Sequence, residues 1–493
     1  MLAALTLCVL LVHGYHPLAE DGGLYVAGVE SSLNPALFPH DLAFATATRH
    51  YSLFTPLMAQ MVRSFHIPLP WLLLLTYLAG TWLMLYAAWR IAAQCFRSET
   101  VRVCAVALVA AWWALPIAGT SLLLMDPYVT ARTLSTPLSL LAIAFALSFQ
   151  LSNPGSLWRC GVCLAAAAAV HPLMAAYAAG FVAVILAAKL PTRRAQIFGY
   201  LTLATLAILV GGILQAIASA ESVAVAAAAF SRYYWFLSQW QWFELLGLAG
   251  PLAVLALLLR YARQPLGESG ATLCRASITI GLIATLVSLL FAHEHYSTHL
   301  VARLQPLRAF LLLYAVMIVL LGGMLAEACR TRFLRAAPLL FLVVMAGVMF
   351  FVQRQTFPAS QHLELPWRAP SNPWSQAFLW ARDNTSTGAL FALDANYITT
   401  NGEDGQTFRA TAQRSVMPDF SKDGGEAAVQ PALATAWFAG MNVQQNLSGL
   451  DDAERDARLR PLEVSWLLLH SAAKTSHRCP YDNGTVKLCR LDP

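Results

Sequence analysis

Hydrophobic positions along this chain gather into long runs separated by short polar stretches. Runs suited to crossing ~30 Å of hydrocarbon cover 71–90, 101–117, 134–151, 197–217, 246–259, 272–291, 307–325 and 339–351. The first run, 1–12, is short for a span. It has no basic residue before it and no Ala-x-Ala pattern, so it reads as a tilted or truncated first helix and not as a signal peptide.

Segment 157–189 breaks the pattern. As one helix it would reach ~50 Å, too long for one crossing and too short for two full crossings and a turn. His171-Pro172 lies near its middle, where proline interrupts the hydrogen-bond ladder. Two short helices meeting at His171-Pro172 are predicted, the turn shielded by protein or lining a cavity.

Counting this pair as a return trip gives a consistent orientation. One set of loops then carries Arg90, Arg97, Arg102, Arg159, Lys189, Arg193, Arg194, Arg260, Arg263, Arg275, Arg330, Arg332 and Arg335. The opposite short loops hold only Arg49, Arg63, Arg132, Arg232, Arg303 and Arg308. The positive-inside rule makes the first set cytoplasmic, which puts Glu20-Asp21, His171 and everything after Phe351 outside.

From Gln353 onward charges, Asn, Gly and Asp become frequent and no spanning run recurs. The pattern predicts helices over 372–385, 429–441 and 451–460, strands over 389–393 and 464–469, and a last hairpin turning at Asn483-Gly484. The expected architecture is a polytopic α-helical membrane protein of about 10–11 transmembrane segments, one a broken hairpin, with a C-terminal α/β extracytoplasmic domain. The transmembrane domain would be 1–353, with a long first outer loop over 14–70, and the soluble periplasmic domain 354–493.

Composition agrees: 58% of the residues are hydrophobic and only 12% charged, a membrane-protein balance that excludes an ordinary soluble enzyme. Seven of the nine cysteines fall in spans or near cytoplasmic ends. Cys479 and Cys489 flank the last turn in a compartment that should be oxidising, and a disulfide is expected there. Lysine occurs only at 189, 422, 474 and 487. That arginine bias suggests a GC-rich genome and a bacterial inner (plasma) membrane.

The candidate chemistry begins in the first outer loop. Glu20-Asp21 follows the first apolar run, and acidic residues so close to hydrocarbon are costly unless they have solvent, a partner or a task. Leu24, Val26, Val29 and Leu33 form one apolar stripe after them. Leu57, Met58, Met61, Val62 and Phe65 form another after Thr55-Pro56. Both read as helices lying in the membrane interface.

Acidic residues just after the first span, interfacial helices in the first outer loop and a C-terminal outer domain together resemble the GT-C superfamily of polyprenyl-phosphate-dependent membrane glycosyltransferases. The segment from Trp380 to Phe391 is similar to the start of the soluble domain in several members, as is the later Phe408-Arg409-x4-Arg414-Ser415. Many members carry Asp-Glu where this chain has Glu20-Asp21. The resemblance implies transfer of a sugar from a polyprenyl-phosphate donor to an acceptor glycan, lipid or protein on the outer face. The partners it implies are membrane lipid and that donor; no nucleic acid is expected. Such a reaction needs a carboxylate to take the acceptor's proton and cations or a metal to stabilise the departing phosphate.

Asp21 or Glu20 is the candidate base; the plainer reading is a cap on the following helix. Arg132 is placed for a lipid phosphate or for ordinary headgroup anchoring, and Asp126, before Pro127, for substrate contact or a simple turn. The loop after 291 holds His293, Glu294, His295, His299, Arg303 and Arg308. There His295, His299 and Glu294 are candidates for a divalent metal site, and Arg303 and Arg308 for phosphate contact. His171 is a further substrate-binding candidate, and Arg409 and Arg414 are expected to cover the cavity. A non-catalytic envelope protein binding lipid or glycan-assembly partners is the competing reading. A transporter is disfavoured, because no charge falls near the middle of a predicted span.

Overall fold

The structure, a computed structural model, describes residues 1–150, 155–329 and 336–491. Arg330, Arg332 and Arg335 of the expected cytoplasmic set lie outside the described residues. Among the described residues six helices are long and apolar enough to cross a membrane: Leu69–Cys95, Arg193–Ile217, Trp242–Tyr261, Arg263–Phe291, Leu300–Ala328 and Ala337–Thr356. Shorter apolar helices cover Leu2–His13, Ala131–Leu147, Gly155–Val170 and Pro172–Ala188. The broken pair meets at His171, whose ring accepts from the Met174 N–H (3.2 Å) and so caps the second helix just where Pro172 opens it. The run expected over 101–117 is helical only over Glu99–Ala111. Its end folds back as a turn, with the Ile117 and Leu124 N–H groups donating to Leu122 and Leu115 carbonyls.

Phe310, Leu312, Leu313, Val316, Ile318 and Leu320 are fully buried, which makes their helix the centre of the bundle. Phe198, Leu201, Leu209, Ile213 and Ile217 stay exposed on an outer helix, as a surface facing lipid would. The two apolar stripes of the first outer loop are helical over Asp21–Leu33 and Phe54–Phe65, the former buried from Gly22 to Ser31.

All the segments expected outside lie against one another. The Tyr15 N–H donates to the His362 carbonyl and the His16 N–H to that of Pro127. Ser52 Oγ reaches the Val170 carbonyl, Arg232 the Ser421 and Phe420 carbonyls, and Arg303 that of Ala428. On the other side Gln94 reaches Ala144 and Lys189 reaches Leu147 and Phe149. The sidedness argued from arginine is therefore consistent with which loops share a face.

The tail carries one sheet, β1 (Leu390–Ala392), β2 (Ser415–Val416), β3 (Trp466–His470), β4 (Tyr481–Asp482) and β5 (Val486–Arg490), in the order β2-β1-β3-β5-β4. β1 runs parallel to β2 and β3, and the last hairpin is antiparallel. Helices cover Pro373–Asn384, Pro431–Val443 and Asp452–Leu459, close to expectation. Cys479 and Cys489 form the disulfide that staples the hairpin. The tail is not a separate body: Ala427, Ala434 and Trp437 share a core with Phe44, Ala47 and Trp235 of the outer loops.

Candidate functional site

The site begins with a close approach. The helix Asp21–Leu33 opens Asp21-Gly22-Gly23, and a Cβ on Gly23 would lie only 2.4 Å from Thr407. Glycine therefore lets the tail rest on the first turn, where Thr407 Oγ1 donates to the Glu20 carbonyl (3.3 Å). Glu20 adopts φ 50°, a positive value that costs a non-glycine residue about 1–3 kcal/mol and tends to be kept where the surroundings over-determine it.

Capping does not explain the acidic pair. The Glu20 side chain makes no capping hydrogen bond, and the Asp21 carboxylate turns to cations. Arg132 Nη1 and Nη2 both donate to Asp21 Oδ2 at 3.3 Å, while Nε and Nη2 donate to Asp126 Oδ2 at 3.2 and 2.8 Å. Lys422 Nζ pairs with Glu20 and lies 3.4 Å from Asp21 Oδ1. The Asp21 side chain keeps 35% of its exposure, whereas that of Asp126 keeps 6%.

Local sequence sets this geometry. Thr130 and Thr133 form a reciprocal cap, each taking a backbone hydrogen bond from the other end of the turn, and so start the helix Ala131–Leu147. Arg132 is thereby fixed in the first turn, where the helix dipole disfavours a cation. Two carboxylates offset that cost. An arginine that is only 8% exposed and forked between Asp21 and Asp126 is not an ordinary headgroup anchor, and Asp126 is more than a turn residue.

Electrostatics separates the two carboxyls. Burial alone would raise Asp21, but Lys422, Arg132 and Arg308 outweigh it and hold the group well below the usual carboxylate range. Burial prevails at Asp126, which stands above its ordinary value despite Arg132. Asp21 is thus the more firmly ionised of the two.

Arg308 is the unusual member. Its guanidinium lies over the Tyr234 ring at 5.2 Å, its buried Nε has no partner, and it enters no ion pair among the described residues. It nonetheless stands close enough to act on both Asp21 and His171. Burial, reinforced by Arg132 and Arg308, pushes His171 down to about 3, so its ring is neutral at pH 7. Asp21, Arg132, Asp126, His171 and Arg308 therefore come together.

The remaining candidates do not join them. Arg303 donates to Glu221 Oε1 (3.0 Å) and to the Ala428 carbonyl (2.7 Å). His299 Nδ1 meets Glu221 Oε2 at 2.7 Å, and His299 with Arg303 holds Glu221 down at about 2 against its burial. His295 instead stacks on His293, and Glu294 accepts from Ser238 at 2.7 Å. The expected grouping of His295, His299 and Glu294 is not formed: His299 and Glu294 are engaged by Glu221 and Ser238, and His295 lies against His293 and Tyr296. Among the described residues no set of three or more His, Cys, Asp or Glu side chains is gathered as metal ligands.

Arg409 and Arg414 were expected to cover the cavity; both are structural ties instead. Arg409 is buried between Asp41 and Asp423, with Nη1 donating to Asp423 at 2.7 Å. Arg414 donates to the Arg382 and Thr385 carbonyls at 2.5 and 2.7 Å, closing the end of the helix Pro373–Asn384.

Sequence reasoning missed three contributors. Lys422 and Glu426 lie four residues apart on one face of the helix Lys422–Val429, and Gln430 follows at its end. Tyr51 donates to Glu426 at 2.9 Å, and burial, with Asp21 adding to it, lifts that carboxyl to about 8. The available signal was Lys422 itself, one of four lysines in an arginine-rich chain.

Comparison with known proteins adds no name: no protein-family profile matches the sequence, and no curated protein matches it. What the arrangement can do rests on its own chemistry. Three cations, Arg132, Arg308 and Lys422, surround one exposed ionised carboxylate, an arrangement able to hold a phosphate beside a proton acceptor.

Proposed function

We propose that this protein is a GT-C-like glycosyltransferase acting at the outer face of a bacterial inner membrane, moving a sugar from a polyprenyl-phosphate donor to an acceptor. The observation that carries this reading is Arg308, a cation without an ion-pair partner, beside the ionised Asp21. A guanidinium left unpaired at a membrane surface is an anion site waiting for an anion.

Arg132 touches Asp21 directly. This contact gives the reading its mechanism. A donor phosphate entering the cluster draws on Arg308, Arg132 and Lys422. As their charge is taken up, Asp21 loses the interactions that depress it and becomes a better base. Asp21 then accepts the acceptor hydroxyl's proton while the acceptor oxygen bonds to the anomeric carbon. The bond from that carbon to the phosphate oxygen breaks, and polyprenyl phosphate leaves on the cations. The strained Glu20 backbone and the Thr407 contact hold Asp21 in place.

The test is a transfer assay with labelled polyprenyl-phosphate sugar. Asp21→Asn should lose about 10²–10⁴ in rate, the usual worth of a general base, and Asp21→Glu should recover part of it. Transfer at the normal rate by Asp21→Asn would end the catalytic reading. The direct Asp21–Arg132 pair favours one alternative, a non-catalytic envelope protein that binds the same lipid phosphate. In that case the wild type binds donor and transfers nothing.

A further inference from the structure

One cavity of the outer half does not include Asp21. It has a volume of about 370 Å³ and lies between the helix Asp21–Leu33, the start of the span Leu69–Cys95 and the tail. On the first helix Val26, Glu30 and Leu33 face it at helical spacing, with Leu69 and Pro70 below and Thr411 and Gln413 closing it from the tail.

Two residues that line it each carry a buried polar atom without a partner, Glu30 Oε2 and Thr411 Oγ1. Glu30 is only 9% exposed and Thr411 6%. An unsatisfied buried polar atom costs about 1–3 kcal/mol, and two lining one apolar cavity point to a ligand that pairs with them. We infer that this cavity is a second binding site, for a neutral amphiphile with a hydrocarbon chain and an ester, amide or alcohol head.

The chain lies along Leu33, Leu69 and Pro70, at the level where the span enters the membrane, and the head reaches Glu30 and Thr411. Glu30 Oε1 already accepts from Gln413 Nε2 at 2.8 Å. Burial raises the Glu30 carboxyl to about 8, so at pH 7 it is neutral and Oε2 can donate a proton to a carbonyl or hydroxyl head. Arg382, the one cation among the residues that line the cavity, pairs through Nε with Asp383 at 2.9 Å. The inference does not rest on sugar transfer.

The test uses the full chain in phosphatidylcholine vesicles containing a diazirine-tagged monoacylglycerol, with cross-linked peptides mapped after irradiation at pH 7. Label should concentrate in 26–37 and 410–413. Thr411→Val should cut it by about fivefold, the worth of one hydrogen bond. Leu33→Trp, at the half-buried rim, should block the chain, and Glu30→Gln, which keeps a donor, should retain the label. Labelling indifferent to Thr411→Val and Leu33→Trp, or confined to the lipid-facing helix Arg193–Ile217, would overturn the site. Equal labelling by the matching tagged fatty acid would overturn the neutral head.

Discussion

Two arginines tie the first outer loop region to acidic partners, and they differ in everything but residue type. Arg409 sits between Asp41 and Asp423 with all three side chains buried. Its Nη2 takes the Val416 carbonyl, and Asp423 and Asp41 accept further backbone N–H groups from Asp419 and Val416. Arg132 also bridges two carboxylates, but one of them, Asp21, remains a third exposed and shares its surroundings with the unpaired Arg308. The first cluster is closed and clamps the tail to the loop. The second is open toward solvent and retains a cation with capacity to spare. Access to solvent, and not charge, distinguishes a structural ion cluster from a site.

The largest contrast should appear in stability. Arg409→Met strands Asp41 and Asp423 as buried unpaired charges, which should cost about 3–5 kcal/mol. Asp21→Asn, at a partly exposed pair, should cost less than about 1 kcal/mol. Thermal unfolding of the detergent-solubilised chain reads both; comparable losses would erase the distinction between the clusters.

A pH series sharpens it. Glu30 and Glu426 both stand at about 8 in the folded protein against an ordinary 4.5. The folded state thus holds their protons longer than the unfolded one. Their contribution is fully present below about pH 4.5 and is lost as pH rises toward about 8. Melting temperature should fall across that window, and Glu426→Gln should flatten the fall. A profile unchanged by Glu426→Gln would contradict the placement of a neutral carboxyl beside Asp21.

A smaller effect tests the far edge of the tail. Replacing Cys479 and Cys489 by Ala should cost about 2 kcal/mol, the low end for a disulfide, because the loop it closes is short. Reducing agent should give the same loss in the wild type and none in the double variant. Since Cys479 and Cys489 pack with Leu390, Leu447 and Leu467 of the tail, this change should leave both arginine clusters intact.

Much of the fold was legible because membrane crossing and turn chemistry are local properties. The break at His171-Pro172, the two helices of the first outer loop and the Asn483-Gly484 hairpin follow from neighbouring residues. The helix ending at Ala111, well before 117, did not, since the turn that replaces it closes on Leu122 and Leu115. At the site, Asp21, Arg132, Asp126, His171 and Arg308 could be named because each is polar at the edge of an apolar run. Arg303, Arg409 and Arg414 were named for the same reason and prove to be tied to internal partners. Their partners Glu221, Asp423 and the Arg382 carbonyl lie 82, 14 and 32 residues away, and no local pattern says which carboxylate or carbonyl a given arginine will meet. Lys422 and Glu426 were missed for the converse reason: a polar stripe on a short tail helix reads as a solvated face until the fold turns it toward Asp21.

The central claim is that Arg308 is a cation reserved for a lipid phosphate. Equilibrium binding of radiolabelled polyprenyl phosphate to the full chain in nanodiscs tests it most directly, wild type against Arg308→Gln. A charge-assisted hydrogen bond is worth about 1.5–3 kcal/mol, so affinity should fall about tenfold to a hundredfold, while the melting temperature stays within a degree or so because no internal ion pair is broken. Equal affinity in the two proteins would contradict the account.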